Sequence, residues 1–107
     1  MADMTPREVA DLVEQGDAQL IDVREPYEHE AGRIAGDVHI ELERLTAEAG
    51  SIDRERPVVF YCRTGSRSDL AAQPFGAAGF TAHNLDGGLK AWDADGLPIE
   101  PADGRVA

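Results

Sequence analysis

The chain has 107 residues, about the size of one domain, and a hydrophobic fraction of 42% that suffices for a core and argues against a disordered chain. Its formal net charge of −11, from ten Lys+Arg against 21 Asp+Glu, repels nucleic acid and anionic membranes and excludes both as general partners. The single cysteine excludes an internal disulfide and any multi-cysteine metal site, and no apolar run approaches the roughly 18 residues needed to span a bilayer. Met1-Ala2-Asp3-Met4 has neither the basic nor the apolar region of a secretion signal, so residues 1–107 read as a single soluble, cytoplasmic domain.

Lys90 is the only lysine beside nine arginines. Lysine scarcity with abundant Asp, Glu and Ala fits either a GC-rich genome or adaptation to high salt, where screening removes the self-repulsion of surface carboxylates.

The first helix is signalled by Thr5-Pro6-Arg7-Glu8: a capping hydroxyl, a proline at the first helical position and a glutamate three residues after the cap. Val9, Leu12 and Val13 form its apolar stripe and Gly16 stops it. Residues 19–23 read as a short strand. Residues 24–36, punctuated by Pro26, Gly32 and Gly36, read as mostly loop with room for one turn of helix. A second short strand over 38–40 precedes a weak helix over 41–48. The clearest strand is Pro57-Val58-Val59-Phe60-Tyr61, continuously apolar as in a central strand covered on both faces. Leu70, Ala71, Phe75 and Ala78 then mark a helix that ends at Gly79, with Pro74 predicting a kink or a late restart. A fourth strand over 81–85 leads through Asp86-Gly87-Gly88 to a helix carrying Leu89 and Trp92, and residues 96–99 close the fold. Strands alternating with helices at these intervals predict an α/β domain with a mainly parallel sheet.

Chemistry concentrates at the end of the strongest strand, in Cys62-Arg63-Thr64-Gly65-Ser66-Arg67-Ser68. Ligands in α/β folds gather outside the carboxyl ends of strands. A turn around Gly65 can aim successive backbone N–H groups inward as an anion nest, and the helix that follows adds its positive end. A cysteine at the rim of such a nest has a lowered pKa, and its thiolate is a nucleophile. A lone cysteine is more often a buried, inert small hydrophobe. Two arginines, a glycine and two further hydroxyls within six residues favour the reactive reading, because nothing structural demands them together.

The segment Tyr61–Ser68 resembles the active-site loop of single-domain rhodaneses, the persulfide-forming sulfurtransferases. Ile21-Asp22-Val23-Arg24-Glu25 resembles the early D-V-R-E segment of that family, and Gly32-Arg33-Ile34-Ala35-Gly36 stands where it usually has G-H-I-P-G. Leu85-Asp86-Gly87-Gly88, Trp92 and Gly96-Leu97-Pro98 are similar to its C-terminal signature. The resemblance covers nearly the whole chain. It implies a rhodanese-like fold, with a mainly parallel five-stranded sheet and helices on both faces.

It also implies a function. Cys62 would take the sulfane sulfur of a donor such as thiosulfate or a persulfide and pass it to cyanide, a thiol or a protein acceptor. The amides of Arg63, Thr64, Gly65, Ser66 and Arg67 would stabilise the persulfide. Arg67 would hold the donor anion or balance the terminal sulfur, with Arg63 and Thr64 towards the approaching substrate. Asp22, Arg24 and Ser68 would support the loop, the first two as a buried capping carboxylate and a structural ion pair rather than as catalysts. No metal or organic cofactor is implied. With no second cysteine in the chain, the acceptor must come from outside. Arg33, Ala35 and Asp37 depart from the family pattern and are expected to alter the loop beside the site rather than the chemistry. His29, His39 and His83 show no ligand spacing and read as surface or packing residues, and Trp92 as a core anchor.

Two other classes compete. Cysteine-dependent phosphatases and arsenate reductases use C-x5-R, a nest one residue longer than the interval from Cys62 to Arg67, so this loop should be too small for a tetrahedral oxyanion. A non-catalytic or sulfur-carrying interaction module is the other, against which the presence of Cys62 in an intact loop argues.

Overall fold

The computed structural model describes residues 2–107; Met1, in the N-terminal stretch read for a leader, lies outside them. Five parallel strands form one sheet: β1 (Ala2–Met4), β2 (Gln19–Asp22), β3 (Val38–His39), β4 (Val58–Tyr61) and β5 (Ala82–Leu85), in the order β1-β5-β4-β2-β3. Five α-helices accompany them: α1 (Pro6–Glu14), α2 (Pro26–Ala31), α3 (Leu45–Glu48), α4 (Ser66–Ala77) and α5 (Gly88–Ala94). The mainly parallel α/β architecture expected from the sequence is the one observed, with the first strand added at the edge.

β1 is three residues long and carries no apolar alternation; its place comes from pairing with β5, Asp3 opposite Asn84 and Met4 opposite Leu85. α1 begins as its cap predicts, Thr5 Oγ1 accepting from Glu8 N at 3.2 Å and Glu8 accepting from Thr5 N at 2.9 Å. The stretch 24–36 is mostly loop, as read, and the helical turn within it is α2, six residues long. Pro26 supplies a helical φ at its first position, and Glu28 turns back to accept from Glu25 N at 3.0 Å. The weak helix over 41–48 resolves into 3-10 turns flanking the single turn α3. α4 starts at Ser66, earlier than its apolar residues announce, and is unbroken across Pro74.

Side chains alternate along the central strands and build a core on each face of the sheet. Val58, Phe60 and Cys62 join Ile21, Ala71 and Phe75 under α3 and α4, while Val59 and Tyr61 join Val9, Leu20, Leu89 and Trp92 under α1 and α5. All four β4 residues are buried, each large apolar side chain contributing roughly 1.5–3 kcal/mol. Trp92 anchors the second core and donates its Nε1–H to Pro98 O at 2.8 Å, which fixes the closing turn. No helix among the described residues is long and apolar enough to cross a membrane.

Candidate active site

β4 runs at the centre of the sheet and delivers Cys62 at its carboxyl end, fully buried. The chain then turns through Gly65 into α4. Gly65 sits at φ +101°, in the left-handed region that favours glycine, and a Cβ there would lie 3.3 Å from Gly87 N and 3.4 Å from Leu85 O. The turn brings Gly65 N to 3.1 Å and Ser68 N to 3.4 Å from Cys62 Sγ, so backbone donors converge on the sulfur.

The carbonyls of the same loop are drawn the other way. Cys62 O accepts from Leu89 N at 2.8 Å and Arg63 O accepts from Lys90 N at 3.0 Å, both at the start of α5. This requires α5 to press against the loop at Gly88, where a Cβ would fall 2.5 Å from Cys62 O and from Arg63 C and O. The Asp86-Gly87-Gly88 signature thus shapes the cysteine loop from the neighbouring strand.

Burial pushes the Cys62 thiol up; the Ser68 hydroxyl and N–H, then the Gly65 and Thr64 N–H groups, outweigh it and hold the thiol below its ordinary pKa. The hydroxyl has one proton. Ser68 Oγ stands 2.5 Å from Asn84 Oδ1 and 3.4 Å from the sulfur, so Asn84 holds the hydroxyl beside the sulfur and its proton serves either acceptor. Asn84 is fixed in turn by donating Nδ2 to Gly65 O at 3.2 Å and to Asp3 Oδ1 at 3.3 Å.

Around Tyr61, the last residue of β4, lies a buried polar cluster. Arg24 meets the Asp22 carboxylate through Nε and Nη2, both at 2.8 Å, and Nη2 also donates to Gly32 O at 2.6 Å. Burial raises the Asp22 carboxyl, but Arg24 and then His29 prevail and hold it below the usual carboxylate range. His29 Nδ1 is 2.9 Å from Asp22 Oδ2, and its ring stacks on His39 with centroids 4.5 Å apart. Tyr61 donates its hydroxyl to Asp37 at 2.5 Å and accepts from Ile34 N at 3.1 Å. Burial pushes the Asp37 carboxyl up. Asp22, His29 and Asp37 offer three ligand atoms within 4.8 Å of one another, but Arg24 and Tyr61 already take the carboxylates. The histidines, scattered in sequence, include one stacked pair that packs this cluster.

A rhodanese-like domain description matches residues 5–95 of the chain. The chain belongs to the rhodanese-like family. It is similar to a thiosulfate sulfurtransferase, GlpE, of Pseudomonas aeruginosa, with 34% identity over 101 residues covering 94% of this chain and 87% of that protein. It is also similar to the uncharacterized protein YqhL of Bacillus subtilis, with 46% identity over 76 residues, 70% of this chain and 60% of that one. A solved rhodanese-like domain protein from Staphylococcus aureus superposes with a TM-score of 0.81 at 29% identity, covering 94% of this chain and 99% of that one.

In this rhodanese-like domain the structure brings Cys62, Gly65 and Ser68 into direct contact and pairs Asp22 with Arg24 as a buried ion pair beside Tyr61. Arg63 is exposed and donates Nε to Ala107 O at 3.1 Å. Thr64 and Ser66 are exposed on the loop. Arg67 is engaged: Nη1 and Nη2 donate to Glu28 Oε1 and Oε2, each at 2.8 Å. Glu28 and Asn84 are the site residues that the sequence reading missed. Asn84 carried a signal, an amide inside a buried parallel strand that is otherwise expected to be apolar. Glu28 carried only the local spacing of a helix start; its partner lies 39 residues away. An apolar groove of about 540 Å³ runs between α3 and α4 along Leu45, Ile52, Pro74 and Phe75, and no residue from Cys62 to Ser68 lines it.

Proposed function

We propose that this chain is a rhodanese-type sulfurtransferase that carries sulfane sulfur as a persulfide on Cys62, in the cytoplasm. The observation that carries the reading is the convergence of Gly65 N–H and Ser68 N–H on a Cys62 sulfur held below its ordinary pKa. The thiolate attacks the outer sulfur of a donor such as thiosulfate. A sulfur–sulfur bond forms to Cys62, the donor's own sulfur–sulfur bond breaks, and sulfite leaves with the electron pair. Negative charge moves to the terminal sulfur of the new persulfide, and amides already aimed into that space stabilise it without reorganising, as an oxyanion hole does. In the second half-reaction an external acceptor (cyanide, a thiol or a protein) attacks that terminal sulfur and restores the Cys62 thiolate. Arg63, Thr64 and Ser66 are the exposed residues of the loop, on the side from which both must approach. Asp22 and Arg24 brace the end of α2 through Gly32 O, and Ser68 supports the loop from within.

Intact mass of the protein before and after thiosulfate tests this, with Cys62→Ser in parallel. The expected result is a gain of one sulfur, about 32 Da, that is absent from the variant and removed by cyanide or a thiol. Failure to gain sulfur from thiosulfate or from a persulfide, in folded protein with a titratable thiol, rejects the reading.

A further inference from the structure

Glu28 is the one buried acid whose carboxylate reaches into the cysteine loop. It is 3% exposed, on the first turn of α2, and its two oxygens take both Nη atoms of Arg67, while Oε1 also accepts from Glu25 N. The Arg67 guanidinium holds the Glu28 carboxyl well below the usual range against its burial. Arg67 in turn feels Glu28 first and, more weakly, the charge of Cys62. Arg67, which feels the charge of Cys62, is therefore already neutralised by a built-in carboxylate, whereas Arg63 is exposed and bonds the Ala107 carbonyl. Arg24, the next cation inward, is neutralised by Asp22.

The charge gathered in the first half-reaction depends on the donor. Attack of the thiolate on thiosulfate gathers three negative charges and ends with a persulfide and a sulfite dianion. Attack on a persulfide, R–S–S⁻, gathers two and ends with a persulfide on Cys62 and a thiolate R–S⁻. A bidentate guanidinium–carboxylate pair keeps its geometry but has little net field at the distance of the donor.

Building on the sulfurtransferase reading, we propose that Glu28 is a specificity-determining positioning residue: by closing Arg67 into an ion pair it turns the site away from dianionic donors such as thiosulfate and towards monoanionic persulfides of small thiols or protein cysteines. Glu28 acts through Arg67 and does not touch the reacting sulfur.

The test is single-turnover loading of Cys62, followed by intact mass, with thiosulfate and with cysteine persulfide as the two probes. Removing the Glu28 charge by Glu28→Gln leaves Arg67 uncompensated. At a separation of several ångströms and a dielectric between those of protein surface and water, this favours a donor by about fourfold per unit of its negative charge. Loading from thiosulfate is thus expected to rise by about tenfold or more and loading from cysteine persulfide by about fourfold, so their ratio shifts towards thiosulfate. Glu28→Asp keeps the charge and is expected to keep the wild-type ratio. The double variant Glu28→Gln with Arg67→Gln restores net neutrality and is expected to return the ratio towards wild type at lower absolute rates. A ratio unchanged in Glu28→Gln, with both rates altered alike, overturns the proposal and leaves Glu28 a structural residue. If Glu28→Gln does not fold, Arg67→Gln tests the same point in reverse: thiosulfate loading must then fall by more than persulfide loading, and equal losses overturn the proposal. Wild-type protein that loads from both donors isolates the role of Glu28; wild-type protein that loads from neither rejects the sulfurtransferase reading and this inference with it.

Discussion

Cys62 is a buried thiol whose surroundings favour its charged form, which is the opposite of what burial in an apolar strand end does by itself. The difference is made by the Ser68 hydroxyl and by N–H groups that the loop turns inward, with Asn84 fixing that hydroxyl and the Gly65 carbonyl. The expected consequence is an ultraviolet titration of the Cys62 thiolate with its midpoint below the unperturbed value of about 8.5. A midpoint above it contradicts the site described here. The linkage has a definite sign. A thiol whose pKa is lowered on folding adds stability that is fully present above the unfolded value and fades as pH falls through the folded one. The stability of the wild type relative to Cys62→Ser therefore rises with pH across that window, as read by urea denaturation.

At the level of elements, the loop is shaped from both sides. α5 draws its carbonyls away through Leu89 N and Lys90 N, and α2 holds its far arginine through Glu28. Gly88 is where the α5 contact is tightest, so Gly88→Ala combines a strained left-handed φ with a Cβ driven into the Cys62 and Arg63 backbone. The strain alone is worth about 1–3 kcal/mol. The variant is expected to lose that much stability or more, together with sulfur loading. Gly16→Ala is the matched control: φ is also positive, nothing lies within 4 Å of the new Cβ, and loading is expected to persist with only the backbone cost. Comparable losses of loading in the two variants contradict the assigned role of α5. The same elements show why a helical turn forms within a stretch that is mostly loop. Residues 24–36 are polar and rich in breakers, yet α2 forms there because Pro26 starts it and Glu28 is satisfied at one end by Glu25 N and at the other by Arg67.

For the molecule as a whole, charge is the dominant feature. A net charge of −11 on 107 residues repels itself, and it is what remains after the arginines of the ion pairs Asp22–Arg24, Glu28–Arg67 and Arg44–Glu48 have been counted. The exposed i,i+4 pair Arg44–Glu48 adds little. Screening relieves the long-range part, so the urea midpoint is expected to rise steeply as KCl is added from low ionic strength. A flat salt titration contradicts this and removes the case for a chain adapted to high salt.

Local patterns in the chain determined the α/β class, four of the five strands, the cap of α1 and the cysteine loop with its glycine turn. Each rests on interactions between residues near in sequence: a run of β-branched and aromatic residues, a hydroxyl three residues from a glutamate, a sulfur three residues from an amide. The five-stranded count and the supporting pair Asp22 and Arg24 came through resemblance to a family. Tertiary structure alone decided the rest. β1 exists because β5 offers it an edge, Asn84 matters because α4 places Ser68 beneath it, and Glu28 meets Arg67 because the sheet order sets β2 and its following helix beside β4. Pairing across 39 or 81 residues leaves no periodic trace in a sequence, since its energy comes from contacts that exist only once the sheet is assembled.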